Sequence, residues 1–144
     1  MQETPFAVRK LSPDSPARLT SRVRALTRRT AGVSLQQAID RLSIYLTGWR
    51  GYFGFCQTPE QLRNLEGWVR RRLRCLAWTQ WRTGRRRYTA LRQYGIGPSL
   101  AATTTVAAHR HGPWRLSRHP VLQAALSNAF FAASGLPTLA PAAA

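Results

Sequence analysis

Apolar side chains recur at three- and four-residue intervals through most of the chain, and no stretch alternates with the period of two that a half-buried strand requires. The pattern predicts an all-α protein, a small helical bundle. A first helix opens at Asp14, Ser15 and Pro16, where a capping side chain precedes a first-turn proline. Its apolar stripe is Leu19, Val23 and Leu26, with Arg18, Arg22, Arg24, Arg28 and Arg29 off it, and Gly32 breaks it. Ser34 and Gln37 then form a capping-box signature for a second helix. Its Leu35, Ala38, Ile39, Leu42, Leu46, Trp49 and Phe53 fall within about an 80° arc, which is the expected core face. Gly48, Gly51 and Gly54 punctuate its end, each costing roughly 1 kcal/mol relative to alanine. They imply either close backbone approach by a neighbouring element or a helix that frays into TGWRGYFGF.

Thr58, Pro59 and Gln61 give the clearest start in the chain: a cap, a first-turn proline and a capping-box partner. With Arg63 at zero on the helical wheel, Leu62, Leu65, Val69, Leu73 and Leu76 cluster between roughly 200° and 280°. Arg63, Arg70, Arg71, Arg74 and Arg82 lie between roughly 340° and 100°, and Trp78 and Trp81 fall on their side. The leucines should bury while the arginines share the opposite face with two indoles. Arg72, at the border of the apolar stripe, is expected to snorkel or to pair internally. Thr83 and Gly84 end this helix, and RRRY opens a short one that runs to about Tyr94, with Gly95 as a left-handed stop.

Residues 98–108 form a weakly patterned, Ala- and Thr-rich helix, and HRHGPWRLSRHP reads as a turn-rich basic loop. An apolar segment over 121–131 is interrupted at Asn128, and GLPTLAPAAA reads as an irregular tail. The organisation expected is an irregular lead-in over 1–13, a helical domain over 14–95, and a helical extension with an irregular tail over 96–144.

Length and composition permit a core without staples, since 144 residues at 44% hydrophobic content are one ordinary domain. Charge changes the picture more. Against 22 Lys+Arg stand 5 Asp+Glu, a formal net charge of +17, so the partner to expect is a polyanion. Lys10 is the only lysine, which a GC-rich genome explains as well as a need for bidentate phosphate contacts does. Cys56 and Cys75 are too few for a secreted disulfide scaffold. MQETPFAVRK lacks the apolar core of a signal peptide, and no stretch approaches the roughly 20 apolar residues of a membrane span. A soluble, cytoplasmic protein without a membrane partner is expected. His109, His111 and His119 with the two cysteines match no zinc spacing, so no metal and no cofactor is expected.

VSLQQAIDRLSIYLTGWRGYF, TPEQLRNLEGWVRRRLRCLAWTQW, RRRYTALRQYGI and GPWRLSRHPVLQAALSNAFFAASGLP, in that order, resemble the C-terminal part of bacterial group II intron-encoded reverse transcriptases. That part is the maturase-specific, or X, domain that serves as the polymerase thumb, followed by a DNA-binding-like extension. The resemblance covers residues 17–139 and rests on the GW..YF, W.RRRLR and GPWR.S..P blocks. It implies a thumb-like helical bundle that grips group II intron RNA and helps it fold for splicing. It also implies RNA contact by Arg63, Arg70, Arg71, Arg74 and Arg82 with Arg85, Arg86 and Arg87, and places residues 111–119 near target DNA. Complete members carry paired aspartates in a palm that precedes the thumb. Here Glu3, Asp14, Asp40, Glu60 and Glu66 are scattered, and two-metal phosphoryl transfer needs clustered carboxylates. No catalysis is therefore expected, and no catalytic residue is assigned.

For the arginine face the plain alternative is a solvated helix surface. Trp78 and Trp81 beside it suit stacking on irregular RNA, and a core role suits them equally. In GPWRLS, Trp114 is expected to dock the C-terminal segment, leaving Arg115 and Arg118 for phosphate contact with RNA or DNA. Three other readings stand beside an RNA-binding maturase-like domain. One is a separated C-terminal subunit that works with a reverse transcriptase palm encoded elsewhere, whose first-helix apolar residues and Phe6 would lack partners in isolation. The others are a truncated remnant of a mobile element and a generic basic DNA-binding protein.

Overall fold

The computed structural model of the chain describes residues 14–28, 32–53 and 58–140; the side chains of residues 14–16, 52, 53 and 109 are outside that description. Expectations for the lead-in, Phe6, Arg29, Gly54, Cys56, the Phe53 and His109 side chains and the last four residues therefore lie outside it. Among the described residues the regular structure is all helical, in the order α1 (Asp14–Leu26), α2 (Leu35–Phe53), α3 (Pro59–Trp81), α4 (Gly84–Gln93) and α5 (Pro98–Ala107). A 3-10 turn over Ala108–Arg110 leads to three short helices, α6 (Pro113–Leu116), α7 (Pro120–Ala125) and α8 (Asn128–Ala133).

Local chemistry sets these boundaries. Ser34 Oγ accepts from the Gln37 backbone N–H at 3.1 Å while the Ser34 N–H donates to Gln37 Oε1 at 2.9 Å, a reciprocal cap that starts α2. Thr58 and Gln61 make the same exchange at α3, and Thr83 caps α4 by accepting from the Arg86 N–H. Proline occupies the first turn of α3, α5, α6 and α7, where its missing N–H costs nothing. Gly95, at φ +92°, ends α4 as the left-handed stop expected of it, and the Ile96 N–H closes on Leu91 O at 2.9 Å.

The core is one cluster running from Leu19 to Ala140. Leu19 and Val23 of α1 are fully buried, so the first helix is covered within this chain, contrary to the expectation for a separated subunit. Ala38, Ile39, Leu42, Leu46 and Trp49 of α2 and Leu62, Val69, Leu73 and Leu76 of α3 join them, the arcs read from the wheel. At 23 residues α3 is the spine, roughly 35 Å long at 1.5 Å per residue, and it packs against α2, α4 and α6.

Three expectations change. Among the described residues, a Cβ added at Gly48 or Gly51 would meet nothing within 4 Å, so none of the described elements approaches the α2 backbone there, and the helix continues through Phe53. The basic stretch over 109–120 is not all loop: Gly112 and Pro113 start the one-turn helix α6. The tail is irregular but packed, with Leu139 and Ala140 buried and their N–H groups donating to Glu66 Oε2 at 2.6 and 2.9 Å. Arg50 holds the same stretch of chain through a 2.8 Å bond to Thr138 O.

Candidate nucleic-acid interface

The arginine side of α3 is where α6 crosses it. Leu116 plugs α6 into the core, and because the helix has a single turn, Trp114 and Arg115 are left on its outer side. Arg71 locks the joint: Nε donates to Ser117 Oγ at 2.9 Å and Nη2 to Trp114 O at 2.9 Å. Its guanidinium carbon also sits 3.7 Å from the centroid of the Trp114 ring, a stacked cation–π geometry. Trp114 thus docks on α3, yet 39% of it stays exposed.

Three clefts run along this joint. The first, about 300 Å³, is walled by Arg70, Arg71, Arg74, Ser117, Arg118, Gln123 and Asn128. The second, about 480 Å³, shares Arg71 and Arg118 and adds His111, Trp114, Arg115 and His119. Trp114 separates it from the third, about 340 Å³, where Thr27 and Arg28 at the end of α1 face Arg72, Cys75, Leu76 and Thr79 of α3. Among the described residues no carboxylate lines any of them. The nearest, Glu66, reaches Arg70 only at 3.9 Å and is already engaged by the tail's N–H groups. Concave walls of one sign focus potential, so this is a place where a chain of phosphates would be attracted and held. Burial, and then the neighbouring Arg118 charge, lowers the Arg71 pKa; burial alone is the leading cause for Arg72. Both keep their charge at neutral pH.

The remaining sequence candidates divide sharply. Arg63, Arg82, Arg85, Arg86, Arg115 and Arg118 are exposed. Arg70 is half-buried on the wall of the first cleft. Arg63, Arg82, Arg85 and Arg86 line none of the three clefts; the last three stand at the α3–α4 corner, which Arg82 turns at φ +60°. Arg74 and Trp78 are not surface groups, as the wheel had placed them. Arg74 is 7% exposed; its Nε donates to Leu126 O at 2.8 Å and its Nη2 to Asn128 Oδ1 at 3.1 Å, tying the α7–α8 turn to α3. Burial, with Arg70 nearby, pushes its pKa down to about 10. Trp78 is 1% exposed and belongs to the core. Arg87 covers it, with Nε donating to Trp78 O at 3.1 Å and the guanidinium 4.7 Å from the ring. Trp81 is half-buried, stacked on Tyr94 at 6.0 Å. Arg72 pairs internally as expected, through Thr27 Oγ1 at 3.0 Å and Arg24 O at 3.3 Å.

Arg28 and the exposed indole of Trp114 were not among the sequence candidates. Arg28 reaches the joint only because α1 packs beside α3, which no local spacing announces. Among the described residues no three His, Cys, Asp or Glu side chains gather as a metal site would require, and no helix is long and apolar enough to cross a membrane.

The family model for the group II intron, maturase-specific domain matches residues 17–95, more than half of the chain. No curated protein matches it. The match takes in α3 and its arginines, while α6, with Trp114, Arg115 and Arg118, follows it in the chain.

Proposed function

Because the chain belongs to the group II intron maturase-specific domain family, we propose that it binds group II intron RNA through backbone phosphates and assists its folding for splicing, with no bond-making step of its own. The observation that carries this reading is the run of arginine-walled, carboxylate-free clefts at the α3–α6 joint. Guanidinium groups there neutralise phosphates and release counterions, which favours the compact RNA in which the ribozyme performs its own chemistry. Arg71 and Arg118 are the centre of the grip, since both border two clefts; Arg70 and Arg115 extend it. Arg63, Arg82, Arg85 and Arg86 add contacts from exposed surface outside these clefts. The same reading takes the chain as the thumb part of an intron-encoded reverse transcriptase lineage, with residues 96–144 as its extension and the cytoplasm as its place of work.

The test is binding of the purified chain to a folded group II intron RNA, a scrambled RNA and a duplex DNA of equal length across a salt series. The folded intron should win by tenfold or more at near-physiological salt, about 1.4 kcal/mol of discrimination. Equal binding to all three, vanishing by about 0.2 M salt, would mark the face as a nonspecific polyanion surface and overturn the reading. Preference for the DNA duplex would favour a DNA-binding protein instead.

A further inference from the structure

Phosphate contacts leave the third cleft unexplained. It is the one with the more apolar wall, built from Leu76, Cys75, Pro113 and the Trp114 indole, and only its rim is cationic, through Arg28 and Arg72. Resting on the RNA-binding reading above, we propose that this cleft captures a single unpaired nucleobase, which stacks on Trp114 while the flanking phosphates run to Arg28 on one side and Arg115 and Arg118 on the other.

The argument begins with the indole. A large aromatic side chain at 39% exposure on an arginine-rich surface presents a flat apolar face to solvent, which nothing in the packing of α6 requires, since Leu116 already anchors that helix. One face of the ring is covered by Arg71 at 3.7 Å. Arg71 does not line the third cleft, so that cleft meets the indole on the side Arg71 leaves open. The residue is also braced. Arg71 Nη2 and the Ser117 hydroxyl both donate to Trp114 O and fix its backbone, while the guanidinium of Arg71, itself fixed on Ser117 Oγ, lies against one ring face. An indole backed by a cation and open on one side is a stacking platform of the kind that single-stranded nucleic acid uses.

Shape and chemistry select the ligand. At about 340 Å³ the cleft lies at the small end of ligand sites, roughly 300–1,000 Å³, and suits one planar group with its sugar. Arg72, held on the buried Thr27 hydroxyl, favours carbonyl and ring-nitrogen acceptors, and the Thr79 hydroxyl, which donates to Cys75 O at 2.9 Å, keeps a lone pair for a ring N–H. A paired base cannot reach an indole in this position, because its faces are already stacked within the helix. The structure therefore distinguishes two modes on one surface: phosphate tracking along the first two clefts and base capture in the third.

Full-length chain titrated with two RNA duplexes, one with a single bulged 2-aminopurine and one fully paired, tests this. The native protein should prefer the bulged duplex by roughly five- to a hundredfold, the range a single base–aromatic stack produces, and the 2-aminopurine fluorescence should be quenched on binding. Trp114→Ala should bring the bulged-to-paired ratio close to one and abolish the quench, and Trp114→Phe should retain most of both. Thr79→Met, which fills the cleft and leaves the indole and arginines in place, should also lower the ratio. If the chain binds intron RNA selectively but Trp114→Ala and Thr79→Met keep the native ratio, base capture is wrong and the RNA reading survives. If neither duplex is held better than DNA, both fall together.

Discussion

Two of the arginine–tryptophan pairs in this molecule do opposite things. At the α3–α4 corner Arg87 sits 4.7 Å above Trp78 and closes a core indole that is 1% exposed. At the α3–α6 joint Arg71 sits 3.7 Å above Trp114 and leaves 39% of it open. The stacked pair itself is therefore no sign of a binding site. What separates the two is the second face of the ring: Trp78 continues into Trp81 and the Tyr94–Phe130 aromatic row, whereas Trp114 opens onto a cleft.

The comparison breaks most sharply at Trp78. Trp78→Ala should destabilise the fold by about 3–5 kcal/mol, the range for removing a large buried aromatic, read as a fall in the urea midpoint with an unchanged slope. A variant that stays fully stable while losing RNA affinity would return Trp78 to the role of an RNA-stacking group. Arg74→Ala comes next, at about 2–3 kcal/mol, because it strands the buried Leu126 O and cuts the tie to Asn128 Oδ1 at the surface. Its salt dependence of RNA binding should match that of the native chain under conditions where both are folded.

Exposed arginines sharpen the same contrast in binding rather than stability. Arg115→Ala with Arg118→Ala should flatten the dependence of log affinity on log salt by roughly 0.7–0.9 for each phosphate that is no longer neutralised. Arg82→Ala, Arg85→Ala and Arg86→Ala together should flatten it by less than a single phosphate would, since these three line no cleft of the joint. A corner triple that matches the joint double would shift the grip toward α4.

Helix starts were legible where their causes are local: Ser34 with Gln37 and Thr58 with Gln61 act within one turn, whereas Thr83, read only as an end of α3, proves to be the cap of α4. The stripes of α1, α2 and α3 were legible for the same reason. The burial of Arg74 and Trp78 was not, because a wheel assigns one polar side to a helix, and α3 is a spine covered on more than one side. Their partners come from across the sequence or from a packed neighbour: Leu126 and Asn128 for Arg74, Arg87 for Trp78. The clefts depend on α6, whose single turn is announced only by Gly112 and Pro113 and whose crossing of α3 no spacing announces. Thus the arginine count pointed to the partner class, while tertiary packing decided which arginines remain available.

The smallest effect separates charge from architecture on α3 itself. Arg70 and Glu66 form an i,i+4 pair, but at 3.9 Å, and Glu66 commits its other oxygen, Oε2, to the Leu139 and Ala140 N–H groups at 2.6 and 2.9 Å. Pairs of this kind contribute about 0.3–0.5 kcal/mol. Arg70→Ala should therefore change stability by no more than about 0.5 kcal/mol, even though Arg74, one turn along, costs several times more. Its effect should fall on RNA affinity instead, as one phosphate left without a cation in the first cleft. Comparing urea midpoints and salt slopes for Arg70→Ala and Arg74→Ala side by side gives the decisive pattern, slope without midpoint for one and midpoint without slope for the other. A shared pattern would mean that the two arginines act as one unit and that the division between frame and grip on α3 is misplaced.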